Sequence, residues 1–134
     1  MIHTRAVCHS DFKWLYRLLK QRDNTVNISH KKVPAYADHV RFCQSCPYDD
    51  WKVLFEGSKK IGHFYITRLG EIGTFVDKKY QRMGYGKVVL FMALQSTAGR
   101  RVLANINPLN KVSAGLFKSF GFKLIQHTYE LVPN

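Results

Sequence analysis

Apolar residues along this chain recur every second position, then at helical spacing, then every second position again, and these changes of period divide it into elements. Residues 2–7 predict a short strand. Ser10 and Asp11 are placed to cap a helix carrying Phe12, Leu15, Leu18 and Leu19 at helical intervals. Residues 21–32 are polar, rich in Asn, Ser and Lys, and lack periodicity, so they read as a loop. Pro34 can open a second helix at its first turn, with Ala35, Tyr36, Val40 and Cys43 for its inner side, and that helix ends by Pro47.

From Trp51 the period falls to two. Residues 51–56 and 60–68, joined by a turn at Gly57-Ser58, predict an antiparallel pair, and a second turn at Leu69-Gly70 leads into a strand over 71–76. A helix is expected from about Gly84 to Gly99, apolar nearly all round and therefore largely buried. Residues 101–106 predict a fifth strand. Asn110 then caps a helix with Val112, Leu116 and Phe120 on one stripe, Gly121 ends it, and 122–132 supply a last strand or tight pair. The reading is α/β, one domain over residues 1–134, with no internal repeat and no interdomain linker.

Charge sharpens the picture. The chain has 21 Lys+Arg against 9 Asp+Glu, a net +12, which points to anionic partners. Nine basic residues and no acidic one lie between Lys78 and Lys123. No apolar run approaches the length of a membrane span, the N-terminus lacks the apolar core of a secretory signal, and a cytoplasmic location is the default expectation. The three cysteines, Cys8, Cys43 and Cys46, read as reduced thiols. His39, Cys43 and Cys46 have helical spacing, with Asp49 or Asp50 nearby, yet one C-x-x-C with one His falls short of a zinc framework. We read a buried helical face there, and no metal.

The richest chemistry is in Gln81-Arg82-Met83-Gly84-Tyr85-Gly86-Lys87, where a strand gives way to a helix. Glycines let the backbone approach a ligand, and the first-turn amides of the helix have no intrahelical partner. With Lys78, Lys79, Arg82 and Lys87 around it, such a helix end suits a phosphate. The residues lack the third glycine of a dinucleotide fingerprint and the Gly-Lys-Ser/Thr of a P-loop.

That stretch resembles the pyrophosphate-binding motif of the GCN5-related N-acetyltransferase superfamily, Q/R-x-x-G-x-G/A. A second block, Asn110-Lys111-Val112-Ser113-Ala114-Gly115-Leu116-Phe117-Lys118-Ser119-Phe120-Gly121-Phe122, is similar to that superfamily's N-x-x-A/S-x-x-L-Y-x-x-x-G-F signature. The resemblance covers about residues 51–132, the first 50 matching only in pattern. It implies a mixed, mostly antiparallel sheet flanked by about four helices, whose fourth and fifth strands splay apart. Acetyl-coenzyme A is the implied cosubstrate. Gln81 to Lys87 would hold its pyrophosphate, Phe75 and Val76 would offer backbone groups to its pantetheine arm, opposite a wall at 105–107, and Asn110 and Phe117 would flank it.

The implied reaction is acetyl transfer to a primary amine, which needs a base for the ammonium, a polarised carbonyl and a proton for the leaving thiolate. Glu71 is the candidate base and His63 a competing one. Phe117 stands where many members carry a tyrosine acid, so Tyr85 or a bound water would donate the proton, or the step runs without a dedicated acid. Asp77, beside the glycine loop, suits a structural role. The acceptor loop holds Asn24, Asn27, Ser29, His30, Lys31 and Lys32, suiting a small polar or anionic amine such as an amino sugar nucleotide. The alternatives are a non-catalytic basic nucleic-acid-binding module, a protein acetylator, or a coenzyme A-binding relative that has lost catalysis. A homodimer is one open option for assembly.

Overall fold

Four strands form one sheet in the order β1 (Ile2–Ala6), β2 (Asp50–Glu56), β3 (Lys59–Ile66) and β4 (Ile72–Val76), each antiparallel to its neighbour. The computed structural model describes residues 1–22 and 32–134. Helices α1 (Phe12–Lys20) and α2 (Tyr36–Gln44) pack on each other, while α3 (Tyr85–Gln95) packs on β3 and β4, and α4 (Lys111–Ser119) follows.

Register assigns the two faces of the sheet. Leu54, Phe64, Ile66 and Ile72 are buried together with Val89, Leu90 and Ala93 of α3 and Phe117 of α4. Trp51, Val53, His63, Tyr65, Gly73 and Phe75 take the alternate positions and face the α1 and α2 side. A bulge refines this alternation. Leu54 faces Gly62 but Phe55 faces Lys60, leaving Ile61 as an extra residue. The parity of β3 therefore flips at this point, sending Ile61 fully into the α3-side core and turning Lys60 towards α1.

Asp11 shows why that matters. Its side chain does not cap α1, contrary to the sequence reading. It is fully buried, receives two hydrogen bonds from the Arg5 guanidinium at 2.9 Å each, one from Lys60 at 2.6 Å and one from the Cys8 amide at 2.8 Å. Burial works against the carboxylate, but Arg5 and Lys60 outweigh it and hold its pKa well below the ordinary value. One carboxylate thus joins β1, the entry to α1 and β3.

Three expectations change. Helix α3 ends at Gln95 rather than Gly99, because Ala98 and Gly99 both take left-handed backbone, and Phe91 lies on an exposed side. Val112 is exposed; the inward stripe of α4 runs instead through Leu116, Phe117 and Phe120. The expected fifth strand is reduced to one parallel bridge, Glu71 with Leu103, and residues 122–134 hold no regular element. Beyond this bridge the Asn105 side chain turns to Glu71 and no further pairing with β4 forms. Among the described residues no helix is long and apolar enough to cross a membrane.

Because Arg5 and Lys60 keep some solvent contact, Asp11→Ala should cost about 2–3 kcal/mol, below the full range for a buried pair broken on one side. Urea unfolding at neutral pH measures this; a loss under about 0.5 kcal/mol would remove Asp11 as the tie between these elements.

Candidate functional site

Strand β4 is paired along its whole length on one side only. The Thr67 amide donates to the Glu71 carbonyl, and the next residue reverses direction: the Ile72 amide donates to Leu103 at 2.8 Å, and Leu103 donates to Gly70 at 2.9 Å. Main-chain groups alternate along a strand, so those of Thr74 and Val76 turn to the open side, where no partner strand continues. Phe75 is directed the other way, its carbonyl lying against Gly62 of β3. Of the two residues expected at the gap, Val76 has its main-chain groups on the open side with those of Thr74, and Phe75 has them towards β3. The Gln81 side chain crosses the end of the gap and donates to the Val76 carbonyl at 3.0 Å.

The glycine loop follows. Arg82 and Gly84 both have left-handed backbone, with φ of 64° and 87°. Gly84 is the N-cap of α3 and no side chain caps it, so the Tyr85, Gly86 and Lys87 amides at the start of the helix are directed outward. Gln81, Arg82, Met83, Gly84 and Lys87 are exposed, Tyr85 and Gly86 half-buried. A β-carbon on Gly86 would come within 3.4 Å of Leu116, which places α4 against the first turn of α3. The geometry fits an anion as the motif suggests: a dipole end, outward amides and the cations of Arg82 and Lys87 on one loop.

Two anchors hold this loop's approach. Asp77 is buried at the end of β4 and accepts from Arg17 at 3.3 Å, Gln21 at 3.1 Å and the Lys79 amide at 3.4 Å. The Gln21 side chain also accepts from the Lys78 amide at 2.9 Å. The C-terminal end of α1 is therefore fastened to the turn that precedes the motif.

On α4, Asn110 caps the helix, its side chain accepting from the Ser113 amide at 3.1 Å. Phe117 is 4% exposed and packs edge-on to Phe122 within the core. Its ring serves the core that supports the site.

Glu71 and His63, the two candidate bases, lie on the same sheet face but not together. His63 is opposite Phe75, whereas Glu71 lies at the far end of β4, four residues or about 13 Å away. Glu71 stands where β4 and the following segment part, its carboxylate accepting from Asn105 at 2.6 Å and from Thr67 at 3.4 Å. His63 is buried and its Nδ1 accepts from the Trp51 indole at 3.2 Å. Burial lowers its pKa to about 3, assisted by the Arg22 charge, so its imidazole is a far weaker base than ordinary histidine. That corrects its reading as a base competing with Glu71.

Sequence reasoning missed what surrounds His63. A pocket of about 80 Å³ opens between α1, α2 and the sheet, walled by Phe42, Tyr48, Trp51 and Tyr65, with Arg22 and His63 as polar members. Tyr48 and Tyr65 stack with ring centres 4.1 Å apart. Tyr65 covers Gly73, where any β-carbon would overlap its ring. The period-two spacing of Trp51 with Val53 and of His63 with Tyr65 signals these inward positions, but nothing local to residue 22 or 48 does. Residues 23–31, which include most of the expected acceptor loop, lie outside the described residues.

His39 and Cys43 are buried on α2, the His39 Nε2 being 2.9 Å from the Phe12 carbonyl and 3.5 Å from the Cys43 sulfur. Cys46 is exposed beyond the helix, and among the described residues no group of three metal-ligating side chains forms.

A sheet whose fourth strand parts from the next segment beside an outward-facing helix end defines the coenzyme A-binding acyltransferase class of fold. The FR47-like protein family matches residues 59–131, and the chain belongs to that family, within the GCN5-related N-acetyltransferase superfamily. Among curated proteins no sequence match is found. Solved structures give the fold. A domain from Methanocaldococcus jannaschii superposes with a TM-score of 0.81 at 20% identity, over 97% of this chain and 93% of that one. The putative acetyltransferase YncA from Salmonella typhimurium, solved with its cofactor acetyl-CoA, gives 0.73 at 17% identity, over 91% and 79%. A spermidine N-acetyltransferase from Vibrio cholerae gives 0.78 at 14% identity, over 94% and 81%.

The environment of His63 sets a pH dependence. Unfolded histidine titrates near 6.5 but His63 only near 3, so between these values the unfolded chain holds the extra proton. Stability is full above pH 6.5 and falls with acid by up to about 1.4 kcal/mol per pH unit from this residue. His39, whose pKa burial also lowers, adds in the same direction. Denaturant unfolding from pH 7 to 4.5 should show the decline, and His63→Gln, which keeps an acceptor for Trp51, should flatten it. An unchanged slope in the variant would mean that His63 is protonated in the folded protein.

Proposed function

We propose that this protein transfers an acetyl group from acetyl-coenzyme A to the primary amine of a small molecule, as a single catalytic domain working in the cytoplasm. The observation that carries the reading is the start of α3: an uncapped helix end, reached through left-handed backbone at Arg82 and Gly84, beside the one open side of β4. Family membership and the fold shared with acetyltransferases support it.

Bound there, acetyl-coenzyme A supplies an activated thioester acyl group. The Tyr85, Gly86 and Lys87 amides receive its pyrophosphate, with Arg82 and Lys87 balancing charge. Thr74 and Val76 offer main-chain groups to the pantetheine arm in the manner of an added strand. Asn110 orders α4 beside that loop, and Phe117 packs beneath it. Glu71, at the root of the gap, takes the proton that the ammonium must lose before attack. Its two hydrogen bonds from Asn105 and Thr67 aim the carboxylate. The thiolate leaves with a proton delivered by water or by Tyr85, since Phe117 has no hydroxyl.

A second reading is a coenzyme A-binding protein without turnover. It is favoured by Phe117, whose ring is committed to the core where a tyrosine acid is usual in the superfamily. Release of free thiol on incubation with an amine panel separates the two.

Gly84→Val should weaken acetyl-coenzyme A binding at least tenfold while leaving the fold intact. Its φ of 87° disfavours a β-branched residue, yet no atom lies within 4 Å of a β-carbon there, so the effect is on loop shape. Calorimetry showing unchanged affinity would refute the loop's role. Glu71→Gln should cut turnover at least tenfold and spare cosubstrate affinity. Normal turnover across pH would remove Glu71 from the mechanism.

A further inference from the structure

The pocket between α1, α2 and the sheet contains an imbalance. Its one permanently charged described lining residue is Arg22, whose Nε is buried and has no hydrogen-bond partner. Buried polar groups are almost always hydrogen-bonded, so an orphan donor on a pocket-lining guanidinium leaves that residue with charge and hydrogen-bonding capacity unspent. The guanidinium is held in place by the Phe75 ring, 5.3 Å from its carbon. Phe75 pairs with His63 across β3 and β4, so Arg22 links the pocket to the face of β4.

Among the described lining residues no other permanent charge competes. No carboxylate is present among the described lining residues. His39 and His63 are neutral near pH 7, because burial lowers both pKa values. Burial likewise raises those of Tyr48 and Tyr65, which keeps their hydroxyls protonated and able to donate. The described lining thus presents donors and one cation, a set that disfavours a polycation. Its volume, about 80 Å³, is roughly half that of the apolar 150 Å³ cavity that takes up benzene. A short group of a few heavy atoms fits.

Resting on the acetyl-transfer reading above, we propose that this pocket holds the acceptor and selects a short amine bearing a carboxylate or phosphate, which the Arg22 guanidinium receives. The anionic end sits against Arg22 and Phe75, and the amine end lies towards Tyr65 and Gly73, next to the open side of β4. This class is opposite in charge to a polyamine such as spermidine, the acceptor named for one structural neighbour.

Calorimetry on the full chain, alone and with saturating coenzyme A, tests it with matched probes: glycine against methylamine, aminomethylphosphonate against ethylamine, and spermidine. The two anionic amines should bind at least tenfold more tightly than their uncharged-end counterparts and than spermidine, and their ranking tells carboxylate from phosphate. Arg22→Ala should erase the difference and Arg22→Lys retain part of it, with acetyl-coenzyme A affinity unchanged in both. Equal or tighter binding of methylamine, ethylamine or spermidine would overturn the proposal, as would discrimination that survives Arg22→Ala. Selective binding of the anionic amines by a protein that fails to bind acetyl-coenzyme A would support the pocket assignment and overturn the acetyl-transfer reading instead.

Discussion

A single parallel bridge between Glu71 and Leu103 governs the shape of everything beyond it. Backbone amides and carbonyls removed from water require partners, and a strand ordinarily finds them on both sides. Here β4 is satisfied against β3 along its length, but on the other side the pairing stops after one step. Asn105 spends its side chain on Glu71, and the chain turns away before Pro108. The main-chain groups of Thr74 and Val76 are left facing a gap that ends at the unfilled start of α3. An incomplete strand and an incomplete helix are thereby placed side by side.

Holding such a gap open requires rigid surroundings, and two buried carboxylates supply much of that rigidity. Asp77 and Gln21 tie the end of α1 to the turn before the glycine loop. Asp11 ties the start of α1 to β1 and β3. A helix fixed at both ends to the sheet cannot drift over the pocket it helps to wall. These two acids also explain part of the charge pattern. In a chain with only nine acidic residues, two are withdrawn from the surface to gather Arg5, Lys60 and Arg17. The exposed loop and helix ends after Lys78 are left basic.

What the sequence disclosed was local. The turn at Gly84 and the cap at Asn110 depend on residues within a few positions, so motif and structure agree. The first four strands, and the antiparallel pairing of the second with the third, follow from alternation and from the turn at Gly57. The parts that stayed hidden are set by distant partners. The Ile61 bulge decides that Lys60 meets a carboxylate 49 residues away, and no pattern around Asp11 distinguishes that fate from an ordinary helix cap. His63 reads as a neutral-pH base from its type alone, and only burial beneath Trp14 and Trp51 removes that capacity. Val112 fits the apolar stripe of α4 by spacing, but the core reaches that helix only from Leu116 onward.

Tyr65 lies flat against a residue that has no side chain, and the two positions are consequently a single heritable unit. Any replacement of Gly73 must evict the ring, and without the ring Tyr48 loses its stacking partner and the wall beside β4 opens. Drift at Gly73 alone is closed off. Related chains with a bulkier residue at this place on β4 should therefore carry a slimmer one opposite it on β3, with a differently contoured chamber as the result.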